Sequence, residues 1–299
     1  MRNAFIEELV ILARLNPQIA LVVGDLGYSV VEPFANEFPD RFINAGVAEQ
    51  NMTGLAAGMA SEGYHVFTYS IANFPSFRCA EQIRNDVDYH KLPVTVVAVG
   101  GGLAYGALGY SHHAVQDFSL FRSFPNTLIA APGDPLEVRA CMRYLVSNPM
   151  PSYLRLGKAG EPCWHSEVPI VEPGKWLKLR EGSAPNKTLL STGATMSIAM
   201  EWQKQVDYRD HAVCSMPLWS MATKRRQADI LRQHTQVVTI EDHLQDGGFG
   251  SWMLEANSMA EKQELSKHTI IKNIALTPEV CGTVGSQLML NKLGGLTDY

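Results

Sequence analysis

The sequence predicts an α/β protein built as two α/β domains in series. Three observations lead there. Short apolar runs of strand length alternate with amphipathic stretches of helix length, the order that gives a parallel sheet covered by helices. The alternation stops across residues 161–186, which are rich in Gly and Pro and hold no sustained period, and then resumes. At 299 residues the chain is too long for one small domain and fits two of ordinary size. The predicted domains are therefore 1–160 and 187–299, with 161–186 as the linker.

In the first half, residues 3–15 read as an amphipathic helix with Phe5, Ile6, Leu9, Val10, Leu12 and Ala13 on its apolar face. Residues 19–23 form a short apolar strand that ends at Gly24-Asp25. A helix of small residues begins near Glu49 and carries Gly54, Ala56, Ala57 and Gly58. A strand around 65–69, a helix over about 77–89 and a strand at 94–99 follow. The strand at 126–130 leads into Asp134-Pro135, and the proline suits the first turn of a helix running to about 147. Residues 152–156 close the sheet. In the second half, strands at 188–191, 212–215, 237–241 and 269–275 alternate with helices at 196–205, 225–233 and 250–260. No internal repeat or low-complexity tract interrupts this order.

Composition narrows the function. A hydrophobic content of 46% with 18% charged residues describes a globular chain with ample core. A net charge of -5 gives no reason to expect nucleic acid or an acidic membrane as partner. Cys79, Cys141, Cys163, Cys214 and Cys281 are scattered and contain no CxxC pair, which argues for a reducing cytoplasm and against a disulfide framework or a zinc site. The N-terminus lacks a signal-peptide core. Residues 92–116 carry no Asp, Glu, Lys or Arg, but their glycines and paired histidines fit a buried strand and loop rather than a membrane span.

Glu49 is the acid of interest. It stands between Asn44-Ala45-Gly46-Val47-Ala48 and the small-residue helix. A carboxyl so placed is expected to be poorly solvated and to hold its proton more readily than a surface Glu. The same position suits a plain capping acid, and spacing alone leaves both readings open.

The surrounding motifs decide between them. Asp25-Leu26-Gly27-Tyr28-Ser29, Asn44 to Asn51, Ala72-Asn73-Phe74, Glu81-Gln82-Ile83-Arg84 and Glu241-Asp242-His243 with Gly247-Gly248-Phe249-Gly250 occur in this order. Together they resemble the C-terminal half of transketolase, a pyrimidine-binding domain followed by the C-terminal domain. The chain is also similar to the equivalent parts of deoxyxylulose-phosphate synthase and, more distantly, to the β subunit of 2-oxoacid dehydrogenase E1. The resemblance spans essentially the whole chain.

What the resemblance implies is a thiamine diphosphate enzyme. Glu49 matches the acid that engages the cofactor's aminopyrimidine and so activates it. Ile71, Phe74 and Phe77 match the aromatic pocket for that ring, although Ile71 is aliphatic and the stripe taken alone reads as core. Asp25, Leu26 and Val47 match cofactor-proximal positions. His112 matches the substrate-contacting histidine, and His113 replaces a residue usually Gln. Arg2, Ser29 and Lys158 fall where the family contacts acceptor phosphate, with Lys158 standing for an Arg and losing its bidentate fork. Gly100 and Leu108 stand where transketolase has a His and an Asp that hold the donor's hydroxyls, so a polyhydroxylated ketose is expected to be favoured less. Arg78, Arg84 and Arg155 read as structural. The Glu241-Asp242-His243 stretch and its glycines read as dimer-interface and turn residues, and Arg225-Arg226 as a solvated helix start.

One part of the family pattern is missing. Gly24-Asp25 and Gly133-Asp134 continue to Leu26 and Pro135, so neither forms the Gly-Asp-Gly motif that holds Mg²⁺ and diphosphate. The expectation is half an enzyme, completed by a separately encoded diphosphate-binding subunit, in an α2β2 assembly, with no metal ligands on this chain. The reaction expected is transfer of a two-carbon ketol or acyl unit to an aldehyde or keto-sugar acceptor, including sugar phosphates. A pyruvate-decarboxylating synthase and a dehydrogenase E1 β-type subunit are the alternatives within thiamine chemistry. A stabilising or regulatory subunit without catalytic function is the alternative outside it.

Overall fold

A computed structural model describes residues 1–261 and 269–297. Among the described residues, twelve strands form two sheets: β1 (Ile19–Val23), β2 (Phe42–Asn44), β3 (His65–Ile71), β4 (Val94–Val99), β5 (Leu128–Ala130), β6 (Ser152–Leu156), β7 (Leu177–Arg180), β8 (Lys187–Ser191), β9 (Ala212–Ser215), β10 (Leu218–Trp219), β11 (Gln236–Leu244) and β12 (Ile270–Leu276). The first sheet has the order β10-β5-β6-β4-β3-β1-β2 and the second β12-β11-β8-β9-β7. Pairing is parallel except for β10 on β5 and β7 on β9. Two α/β layers in series is thus the observed architecture. The inner strands β1, β4 and β6 are buried at every residue, as expected of parallel strands covered on both faces.

Helices cover the sheets where the apolar pattern placed them. Arg2–Leu15 buries Phe5, Ile6, Leu9, Val10 and Ala13 on the first sheet. Glu49–Ser61 buries Met52, Ala56, Ala57 and Ala60, the small side chains letting it lie close to the strands. Pro135–Ser147 starts at Asp134, whose carboxylate accepts the backbone N–H groups of Leu136 and Glu137 at 2.9 and 2.7 Å. That carboxylate also takes the backbone N–H groups of Trp164 and His165 and meets the His165 ring at 2.9 Å; burial pushes its pKa up, but the His165 ring and these N–H groups hold it down to about 2.

Three expectations are corrected. The segment 161–186 is more than a linker, because β7 lies in it and forms an edge of the second sheet. The helix expected at 77–89 is broken into Phe74–Phe77, Ala80–Gln82 and a wide π turn at Ile83–Asp88. Glu32–Glu37, β2, Asp117–Phe121 and Gln287–Leu293 form elements that the apolar pattern did not mark.

The halves are also laced together. β10 comes from the second half yet completes the first sheet. Arg155, on β6 and almost fully buried, bonds Asp117 at 2.6 Å and Asp242 of β11 at 2.5 Å, and donates to the carbonyl oxygens of Ala114 and Asp242. A guanidinium in the interior is costly unless its donors are filled in this way. Asp242 sits against Gly102, where no side chain fits. Glu241 accepts the N–H groups of Phe249 and Gly250 at 2.5 and 2.7 Å, and His243 stacks on Phe118. Glu241, Asp242 and His243 are all buried within one chain, so they are not dimer-interface residues.

Candidate active site

Parallel sheets present their ligands at the carboxyl ends of their strands. The candidate residues other than Arg2, which opens the first helix, and Ile71, which ends β3, lie in the segments that follow β1, β2, β3, β4 and β6. Glu49 opens the helix after β2 and is 1% exposed. It lies over the end of β1, where a methyl group on Gly24 would be in ordinary contact with the Glu49 Cγ at 3.5 Å. Ser70, at the end of β3, donates to Glu49 Oε1 over a long 3.4 Å. Arg78 donates to Oε2 at 2.5 Å while its own side chain stays 44% exposed.

A connected set of contacts leads outward from that acid. The Arg78 guanidinium lies 4.7 Å from the centre of the Phe74 ring, and the His112 ring meets Phe74 edge-on at 5.1 Å. His112 Nδ1 is 3.0 Å from Ser111 Oγ, and Asn73 donates to the Ser111 carbonyl at 3.0 Å. Asn73, Phe77, Tyr110, Ser111, Gln116 and Ser119 line a cleft of about 720 Å³. Val47, 74% exposed, and Phe77, 45% exposed, are apolar side chains left at the surface in the segments that carry Glu49 and Phe74. Ile71 and Phe74 are half-buried.

The loop after β1 is tied to the loop after β2. Asp25 and Asn44 exchange two hydrogen bonds, at 2.9 and 3.1 Å, and Asn44 also accepts from Gly46 N–H. Asp25 and Ser29 adopt left-handed backbone, with φ of 55° and 63°, and both are exposed. Leu26 packs partly into the core beside β1. Beyond β4 and β6 lies a further group. Arg2 is half-buried rather than solvated, Lys158 is exposed, and Lys158 Nζ stands 5.1 Å from the centre of the Tyr105 ring. Gly100 packs against that ring and Leu108 is 56% exposed.

Two assignments change. His113 is 1% exposed and its Nε2 points back to the Gly106 carbonyl at 3.3 Å, so it braces its own loop and does not join His112 in the cleft. Arg78 is not merely structural, because it is the ion-pair partner of Glu49. A signal for it was present: Phe74 and Arg78 have the (i, i+4) spacing that stacks side chains on one face of a turn. Tyr69, Ser70 and Tyr105 were not singled out at all, since nothing local marks a buried strand residue or a loop tyrosine as part of a site.

Among the described residues, no group of three or more His, Cys, Asp or Glu side chains is placed to hold a metal ion. Among them, too, no helix is long and apolar enough to cross a membrane.

Comparison with known proteins supplies the family. Residues 1–160 match the model for the transketolase pyrimidine-binding domain. An apulose-4-phosphate transketolase subunit from Phocaeicola vulgatus is 32% identical over 263 residues, covering 86% of this chain and 83% of that protein. A putative transketolase C-terminal section of Methanocaldococcus jannaschii is 34% identical over 260 residues, covering 85% and 81%. A solved structure described as a split gene transketolase, inactive beta4 tetramer, superposes with a TM-score of 0.83 at 31% identity, over 99% of this chain and 93% of that one.

Proposed function

The chain belongs to the transketolase family, and on that premise we propose that it is the pyrimidine-binding subunit of a thiamine diphosphate-dependent transferase that works only with a partner subunit. Residues 1–160 are the pyrimidine-binding domain and 187–299 the C-terminal-like domain. The observation that carries the reading is the buried Glu49 carboxylate, held from the open side by Arg78, next to a half-buried aromatic wall and exposed apolar side chains. Those residues fit a flat heterocycle with a basic ring nitrogen. Ile71, Phe74 and Phe77 wall the ring, Val47 and Leu26 bound it, and Asp25 braces the loop beside it. Thiamine diphosphate, when bound, supplies the carbon nucleophile that carries the two-carbon unit.

Glu49 holds and moves one proton at the pyrimidine nitrogen, for which a water-poor position suits a carboxyl. His112, half-buried against the edge of Phe74, hydrogen-bonds a substrate oxygen and moves its proton. Arg2, Ser29 and Lys158 hold the anionic end of a sugar phosphate. The sequence has no Gly-Asp-Gly motif, so we assign the diphosphate and its Mg²⁺ to a separately encoded subunit in an α2β2 assembly in the cytoplasm. Ketol transfer is the reaction favoured, because the apulose-4-phosphate transketolase chain of Phocaeicola vulgatus is similar over 83% of its length.

The test is reconstitution with a chain that carries Gly-Asp-Gly and a downstream Asn. Thiamine diphosphate-dependent consumption of a ketose phosphate is expected from the pair and from neither chain alone. Tight cofactor binding by this chain alone would refute the split site. Release of CO₂ from pyruvate, without use of a ketose phosphate, would replace ketol transfer by a decarboxylating reaction.

A further inference from the structure

The glycine run after β4 makes room for side chains that arrive from elsewhere. Gly100 has φ of +81° and a methyl group on it would run into the Tyr105 ring. The loop has therefore exchanged a side chain at 100 for an aromatic ring brought in from 105, and the two positions are coupled. One cation stands over that ring, and the charge of a second acts on its phenol. Lys158, two residues past the end of β6, stands over its face. Arg2 lies close enough that its charge opposes the upward push of burial on the Tyr105 phenol. The same charge acts on the Tyr69 phenol, beneath Gly27. Arg2 Nε is buried and finds no hydrogen-bond partner among the described residues. A ring face is weakly negative at its centre and holds an ammonium group in place without neutralising it. The lysine remains free to meet an anion.

We propose that Tyr105 is a specificity-determining residue of the group beyond β4 and β6: its ring fills the space over Gly100 and positions Lys158, with Arg2, to receive the phosphate of a phosphorylated sugar. The proposal rests on the transferase reading above and adds to it a positioning residue. A phenyl ring does this work as well as a phenol, whereas an aliphatic side chain of similar bulk fills the space without holding the lysine.

The test uses the reconstituted complex with Tyr105→Phe and Tyr105→Leu, the second chosen to keep the packing. Acceptors are D-glyceraldehyde 3-phosphate and D-glyceraldehyde. Tyr105→Leu is expected to raise KM for the phosphorylated acceptor about five-fold, the worth of one cation–π contact, with kcat and the unphosphorylated acceptor unchanged. Tyr105→Phe should match the wild type. A purely structural role would lower kcat with both acceptors alike and overturn the proposal. A second measurement needs no turnover. Inorganic phosphate should raise the unfolding midpoint of wild type and Tyr105→Phe, and that of Tyr105→Leu by less than half as much. Equal shifts in all three overturn the assignment even in a complex that turns over. Unequal shifts in a complex that shows no thiamine-dependent turnover would sustain it while refuting the transferase reading.

Discussion

Glu49 and Glu241 are both buried glutamates beside a helix N-terminus, Glu49 on the helix itself and Glu241 on the strand before it, and they differ in where their partners stand. Glu241 reaches from β11 to the buried N–H groups of Phe249 and Gly250, with the half-buried Asn273 alongside. Burial pushes its pKa up to about 8, against the pull of those donors. Glu49 has a distant Ser70 on the inside and a half-exposed Arg78 on the outside. A buried acid whose hydrogen-bonding capacity is filled from within holds a structure together. A buried acid whose main partner is at the surface is reachable by a ligand. Burial alone does not separate the two; the location of the partners does.

The comparison can be broken by substitution. Glu49→Gln in the reconstituted complex should lower turnover by about 10³-fold, the scale of lost proton transfer, with the unfolding midpoint unchanged. Wild-type turnover in that variant would return the chain to a stabilising role. Glu241→Ala should do the reverse, costing about 3 kcal/mol in urea unfolding because two buried N–H groups lose their acceptor. Catalysis per folded molecule should stay unchanged. The pH dependence sharpens the contrast. Between the ordinary carboxylate range and about 8, folded Glu241 keeps a proton that the unfolded chain has released. Stability therefore falls as pH rises through that window and levels off above it. Glu137, raised by burial to about 7, acts in the same direction. Unfolding midpoints from about pH 5.5 to about 8.5 should slope downward in the wild type and less steeply in Glu241→Gln. A parallel slope would remove Glu241 as a source. The smallest effect is expected for Phe74→Leu, which loses a stacking face worth about 1 kcal/mol and should raise the apparent KM for thiamine diphosphate about five-fold. An unchanged KM would take the cofactor ring away from Phe74.

Much of this arrangement was legible in the sequence for a simple reason: long apolar strands and capped helices announce themselves locally. Asp134-Pro135 marked its helix start, and the runs at 94–99 and 212–215 match β4 and β9 residue for residue. What escaped depends on distant partners. β2 is three half-buried or exposed residues and becomes a strand only by pairing with β1. The interior position of Glu241, Asp242 and His243 depends on Arg155, Gly102 and the helix at Phe249, none of which a local pattern connects. Of the candidate site, Glu49, Phe74 and His112 were expected from a family resemblance, and the contacts around Phe74 connect them. Arg78 and Tyr105 were not found, because their significance is a contact made across a turn or a loop.

The lacing of the two halves has a consequence for how the chain is made. The β5 edge of the first sheet stays bare until residues 218–219 have left the ribosome, and Arg155 has only half its counter-charges until Asp242 follows. Synthesis therefore passes through a stage in which a nearly finished sheet carries an open edge and an incompletely neutralised interior cation, the kind of surface that recruits neighbouring strands. Completion of the first sheet therefore waits for the second half of the chain.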